Sequence, residues 1–224
     1  MARSHVRTRK RRCLNLKRFL MAVDNFYPDP DRVRAKAQSL DYEEPEWLVG
    51  WRTRPFLPPG VRERIEGVLR ARITDWPDNP EDIYVSNGSF FFGLSSGSRA
   101  ETPGVHFDTP TDYVALVIYL TPDAPPDAGT SLWLHRPTGL TANPTRADAR
   151  RLGATVGELV EAIQADSLKP RKWTEIDRVG NVYNRAFFYR AGMLHSATRH
   201  FGSNLRNGRI YQSFSFGVDW KSRA

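Results

Sequence analysis

The chain has 224 residues, 40% of them hydrophobic and 12% aromatic, which suits one globular domain with a sizeable core and excludes a disordered chain. Its formal net charge is +8, a value that in a whole domain would point to phosphates or an acidic membrane surface as partner. Eight cations, Arg3, Arg7, Arg9, Lys10, Arg11, Arg12, Lys17 and Arg18, nevertheless stand among the first 18 residues without one acid, and from Phe19 onward 25 basic residues balance 25 acidic ones.

Residues 1–18 are therefore expected to be a solvated, disordered basic arm, and residues 19–224 a single domain. The arm holds the only cysteine, Cys13, so no intrachain disulfide can form. Lys17 and Arg18 interrupt what a signal peptide would need as its apolar stretch, and no apolar run approaches the ~18 residues of a membrane span. A cytoplasmic protein without a membrane partner is expected. Met21 also offers an alternative start, which would make the arm an upstream extension.

Asp29-Pro30-Asp31-Arg32-Val33 reads as a helix start, with proline in the first turn and acids at the positive end of the dipole. Val33, Ala37 and Leu40 then mark one face. A second amphipathic helix is expected from Val61 to Ile73, with Val61, Ile65, Val68, Leu69 and Ile73 as its apolar stripe. Between them, Trp47, Trp51 and Pro58-Pro59-Gly60 suggest a packed irregular loop. From Ile83 the pattern turns to short β-rich runs: Ser89–Leu94, Val105–Asp108, Tyr113–Leu120, Ser131–His135, Ala186–Tyr189 and Ile210–Phe216. One helical excursion is expected over Thr145–Asp166, burying Leu159, Val160 and Ile163. The fold class is mainly β with flanking helices, a largely antiparallel sandwich or barrel.

Five histidines occur: His5, His106, His135, His195 and His200. His106-Phe107-Asp108 ends a predicted strand, where residues i and i+2 share a face, so an imidazole and a carboxylate can reach one ion. The pattern is short, and an exposed His and Asp at a strand end would satisfy it equally. His195 follows the hydrophobic run Ala186–Tyr189 and a turn at Gly192, which would present it at a strand edge. Two histidines and one carboxylate with open coordination positions are the facial triad of non-haem Fe(II) oxygenases. Arg209 opens the last strand, and a guanidinium fork there suits the distal carboxylate of a 2-oxoacid, with Arg209, Tyr211 and Ser213 on one face.

The order His106-x-Asp108, Gly129-Thr130, His195, Arg209 resembles the 2-oxoglutarate- and Fe(II)-dependent dioxygenases, nearest to the prolyl-4-hydroxylase-like group. The segments Val23-Asp24-Asn25-Phe26-Tyr27-Pro28-Asp29-Pro30, Gly129-Thr130-Ser131-Leu132-Trp133-Leu134-His135-Arg136 and Gly192-Met193-Leu194-His195-Ser196 resemble a poorly characterised bacterial branch of that superfamily. The resemblance runs from about Val23 to Gly217. It implies a double-stranded β-helix, a cupin-like jelly-roll core buttressed by N-terminal helices. It further implies Fe(II), 2-oxoglutarate and O2 as cofactor and co-substrates, with His106, Asp108 and His195 as catalytic iron ligands. Arg209 would hold the distal carboxylate, with Tyr211 as a second donor. An Asp at position 108, where halogenases of the superfamily carry Gly or Ala, implies hydroxylation or desaturation. The Phe-rich strand Ser89–Leu94 departs from the prolyl hydroxylase pattern, and the tyrosine that commonly assists the co-substrate is not placed.

Trp133 and His135 share a face of their strand and are expected either to line a substrate pocket or to pack there. His200 rivals His195 as third ligand but lacks a strand and Gly turn to direct it. Asn184, Arg185, Trp51 and Arg54 fit packing or surface roles as well as a site. The substrate class that follows from the resemblance is amino-acid-like, peptide or natural-product. A non-oxidative cupin-like metal protein and a nucleic-acid module acting through the arm are the competing readings, with nucleic acid not expected.

Overall fold

The computed structural model describes residues 19–44, 50–79, 87–95 and 104–221. The basic arm, Trp47 and the C-terminal three residues lie outside them. Among the described residues, ten strands form two antiparallel sheets. In chain order they are β1 (Leu20–Val23), β2 (Trp51–Arg52), β3 (Arg72–Asp75), β4 (Phe90–Gly93), β5 (Val114–Tyr119), β6 (Thr130–His135), β7 (Trp173–Val179), β8 (Ala186–Arg190), β9 (His195–Ala197) and β10 (Arg209–Asp219). The larger sheet runs β1-β8-β5-β10-β4-β2, with β3 also pairing β10, and the smaller runs β7-β6-β9. The described residues also form four α-helices: α1 (Pro30–Gln38), α2 (Val61–Leu69), α3 (Arg146–Leu152) and α4 (Val156–Asp166).

Three buried clusters define the layers. On one face of the larger sheet, Leu116, Ile118, Phe188, Ile210, Phe214 and Phe216 pack with Val33 and Ala37 of α1 and Val61, Ile65 and Leu69 of α2. On its other face, Ala115, Val117, Tyr119, Phe187 and Tyr189 meet Leu132 of the smaller sheet. Beyond the smaller sheet, Trp173 and Leu194 pack with Ala149, Leu159 and Ile163 of α3 and α4. The alternation along β10 explains the division, because residues i and i+2 of a strand share a face: its even positions face the helices and its odd positions face the smaller sheet.

Local chemistry accounts for the helix limits. Asp29 caps α1 by accepting the Arg32 N–H at 3.0 Å, with Pro30 in the first turn. The helix expected to reach Ile73 stops at Leu69, because Arg70 turns left-handed at φ 51° and residues 72–75 pair with β10 instead. The excursion expected over Thr145–Asp166 is two helices. Gly153 turns left-handed at φ 66°, and capping boxes start each helix, Thr145 with Asp148 and Thr155 with Glu158. The run Val105–Asp108 forms only an isolated bridge, His106 to His195.

Candidate metal centre

That bridge assembles the site. His106 N–H donates to His195 O at 3.0 Å and His195 N–H to His106 O at 2.8 Å, while Asp108 N–H donates to Ala191 O at 2.8 Å. Three backbone bonds thus lay 106–108 alongside 191–195. The two imidazole centroids come within 4.4 Å, and one ligand atom from each of His106, Asp108 and His195 lies within 4.8 Å of the others. Gly192 lets Asn143 and Thr111 pack against the turn before His195, since a Cβ there would fall 2.3 Å from Asn143 Oδ1 and 2.8 Å from Thr111 O.

The donor set fits a transition metal. His106 Nδ1 lies 2.9 Å from Gly104 O and His195 Nδ1 2.8 Å from Met193 O. A carbonyl only accepts, so each Nδ1 carries a proton, and in the neutral ring each Nε2 turns its lone pair to the cluster, the arrangement that orients histidine ligands in metal sites. His106 Nε2 is 3.7 Å from Asp108 Oδ1 and His195 Nε2 3.4 Å from Asp108 Oδ2. Burial raises the Asp108 carboxyl pKa, but with no cation present His195 and His106 in their protonated forms and a hydrogen bond from Tyr189 overcome it and hold it at about 2. A carboxylate ionised at all ordinary pH is what a cation needs. His195 is buried, whereas the His106 side chain is 54% exposed, so the cluster opens to solvent on one side.

A tyrosine that the sequence reading did not single out completes the surroundings. Tyr189 of β8 is buried, and its hydroxyl lies 3.1 Å from His195 Nε2 and donates to Asp108 Oδ2 at 3.4 Å. The same inner face carries Arg209, only 2% exposed. Its Nη2 donates to Gly129 O at 3.2 Å and its Nε to Ala128 O at 3.4 Å, and no acid among the described residues pairs with it. Its guanidinium lies 4.4 Å from the Tyr211 ring and 5.8 Å from that of Tyr119. Tyr211 therefore meets Arg209 through its ring and stacks on Phe91 at 5.1 Å. Tyr119, a second tyrosine not singled out, bonds its hydroxyl to Thr130 Oγ1 at 2.7 Å. Gly129 lets β6 start against the end of β7, since a Cβ there would fall 1.8 Å from Val179 O.

Other residues singled out in the sequence lie away from the cluster. Leu132 pairs with His195, so Trp133 and His135 project from the opposite face of the smaller sheet. His135 is buried there, its Nδ1 2.9 Å from Thr138 Oγ1 and its Nε2 3.2 Å from Asp166 Oδ2, and Trp133 donates to Ser196 Oγ at 2.9 Å. His200 packs on Gly93, where a Cβ would fall 2.0 Å from its Nδ1. Arg185 holds Asp24 through bonds of 2.6 and 2.9 Å. Asn184, left-handed at φ 61°, ties both backbone groups of Tyr27. Trp51 packs with Phe92 on the helix side.

Residues 4–212 match the model of DUF6445, a family of unknown function. The chain belongs to the DUF6445 family. No curated protein matches its sequence. Among solved structures, the DUF6445 chain is similar to HygX from Streptomyces hygroscopicus with nickel and 2-oxoglutarate bound, at 11% identity and a TM-score of 0.52 over 90% of this chain and 83% of HygX. HygX with nickel, 2-oxoglutarate and hygromycin B bound matches at 12% identity and a TM-score of 0.50, with the same coverage. A Pseudomonas putida prolyl-4-hydroxylase matches at 12% identity and a TM-score of 0.41, over 89% of this chain and 92% of that one. The likeness to HygX is one of overall fold. No helix among the described DUF6445 residues is long and apolar enough to cross a membrane.

Proposed function

We propose that this DUF6445 protein is a 2-oxoglutarate- and Fe(II)-dependent oxygenase with a double-stranded β-helix core. It hydroxylates or desaturates an amino-acid-like, peptide or natural-product substrate and releases succinate and CO2. The observation that carries this reading is the convergence of His106, Asp108 and His195 with both Nδ1 atoms committed to carbonyl oxygens. Two neutral imidazoles and one carboxylate leave positions open for a chelating co-substrate and O2.

When bound there, Fe(II) supplies O2 activation coupled to the oxidative decarboxylation of 2-oxoglutarate. The chain's own groups do the rest. His106, Asp108 and His195 hold the metal, and Arg209 takes the distal carboxylate through its free donors. Tyr211 and Tyr119 wall the guanidinium and exclude water, which strengthens that ion pair. A buried cation held by backbone carbonyls, with no described acid to neutralise it, is costly unless an anionic ligand supplies the charge.

The test is succinate release by purified protein supplied with Fe(II), ascorbate and 2-oxoglutarate. Wild type turns over 2-oxoglutarate slowly without a second substrate, and Arg209→Ala lowers its affinity for 2-oxoglutarate by ~30-fold or more, the cost of a lost charge-assisted bidentate contact. If Arg209→Ala binds and turns over 2-oxoglutarate as wild type does, or wild type does neither, the oxygenase reading fails and a non-oxidative metal-binding role takes its place.

A further inference from the structure

The inner face of β10 carries polar groups that neither the metal centre nor Arg209 uses. Ile210, Gln212, Phe214 and Phe216 on the helix side are buried, while Tyr211, Ser213 and Ser215 on the inner face are only half-buried. The inner face is thus less closely covered than the helix side, although Ser215 Oγ itself is buried. Ser215 pairs with Ala115, and Ala115 with Tyr189, so the three occupy one cross-strand row. At ~4.8 Å per strand the Ser215 backbone lies about 10 Å from that of Tyr189, whose hydroxyl touches His195 and Asp108. The residue between them is alanine, the smallest side chain available to a strand floor.

Asn87 stands just before β4 and ends the ladder there. Its Oδ1 accepts the Ser215 N–H at 2.6 Å, which fixes the amide orientation, because an N–H requires an oxygen opposite it. Nδ2 is then left buried with two N–H donors and no partner among the described residues, and Ser215 Oγ is likewise buried and unpartnered among them. Asn87 as a whole is 1% exposed. Capping the strand needs only the oxygen, so the amide nitrogen is surplus to that role, and unmet buried donors are retained at a cost. The two orphaned groups sit on side chains of directly bonded residues, and an oxygen acceptor answers both.

We infer that Asn87 and Ser215 form the substrate-recognition pair of the oxygenase proposed above, binding the carbonyl oxygen of an amide or carboxylate on a substrate that reaches across Ala115 to the metal centre. The inference rests on that reading of the triad. It names the substrate as a carbonyl-bearing molecule and excludes a purely hydrocarbon one.

Acetamide and acetate serve as probes in saturation-transfer NMR on the full chain, recorded metal-free and again with Co(II) and 2-oxoglutarate to fill the Arg209 end. Asn87→Asp keeps the capping oxygen and removes the N–H donors; Ser215→Ala removes the hydroxyl without adding volume. At least one probe is expected to saturate wild type, and its affinity is expected to fall about tenfold in each variant, the loss of a hydrogen-bonded contact. Thermal midpoints and Co(II) affinity stay at wild-type values. Response to acetamide alone names an amide, and response to acetate names a carboxylate. Saturation by neither probe, or a signal unchanged in both variants, overturns the inference. Failure of the oxygenase reading shows separately, as wild-type protein that binds neither Co(II) nor 2-oxoglutarate.

Discussion

Tyr189 shows how much one side chain governs at this site. Its hydroxyl has a single proton, shared between His195 Nε2 at 3.1 Å and Asp108 Oδ2 at 3.4 Å. Once a metal occupies the lone pair of Nε2, the proton has only the carboxylate to go to. Tyr189 would then hold Oδ2 and leave Oδ1, the oxygen nearer His106, as the donor to the ion. Tyr189→Phe removes that bond and little else. Co(II) affinity is expected to fall about tenfold, at the lower end of what losing an outer hydrogen bond costs a metal site, with a changed visible Co(II) spectrum and a thermal midpoint within a few degrees of wild type. Identical titrations and spectra for the two proteins would show that the hydroxyl merely packs there.

At the scale of elements, Asp166 joins more of the fold than any other acid near the smaller sheet. It ends α4, where a negative charge opposes the helix dipole. Lys169 Nζ at 2.9 Å and Lys172 Nζ at 3.8 Å offset it, His135 of β6 reaches it at 3.2 Å, and its carbonyl accepts the Trp173 Nε1–H of β7 at 2.8 Å. The Lys169 hydrogen bond lowers the Asp166 pKa most, burial works against it, and His135 and Lys172 add to the lowering. A carboxyl depressed in the folded state contributes stability above its unfolded pKa and loses it as pH falls through the folded value. Urea midpoints of wild type are therefore expected to drop below about pH 4, and those of Asp166→Asn to start lower at neutral pH and fall less steeply in acid. Parallel curves would remove Asp166 from the acid response. This clamp was not legible in the sequence, because it depends on where α4 ends. The second capping box, Thr155 with Glu158, was present in the residues, but Leu159, Val160 and Ile163 read equally well as one long helix. β5 and β10 were legible from their apolar runs. β1 and β7 were not: β1 has four residues beside the basic arm, and Glu175, Asp177 and Arg178 give β7 the look of a loop. The triad residues and Arg209 were visible as residue types at strand ends, whereas Tyr119 and Tyr189 gain meaning only from the register Tyr211↔Tyr119 and Ala115↔Tyr189, which no single strand reveals.

At the scale of the whole molecule, charge and chemistry are separate. The eight cations of residues 1–18 account for the entire net charge of +8, while the groups that converge between the sheets draw on a body whose charges cancel. A chain segment with that many cations is able to contact phosphates non-specifically at low salt, and each such contact would steepen the salt dependence by about 0.9 in the log–log slope. A neutral body has no comparable term, and its exposed pairs, such as Arg199 with Asp127 at 2.7 Å, are satisfied within the chain. Deleting residues 1–18 is therefore expected to abolish retention on duplex DNA at low salt and to lower the slope for the full chain from several units to near zero, measured by fluorescence anisotropy from 50 to 200 mM salt. The same deletion is expected to leave Co(II) and 2-oxoglutarate affinities unchanged, because the backbones of His106, Asp108 and His195 are tied to one another and to Ala191, and the Arg209 side chain to Ala128 and Gly129. DNA binding that survives the deletion would place a basic surface on the body, and a loss of 2-oxoglutarate affinity would tie the arm to the site. Either result would undo the division between a charged arm and a neutral body.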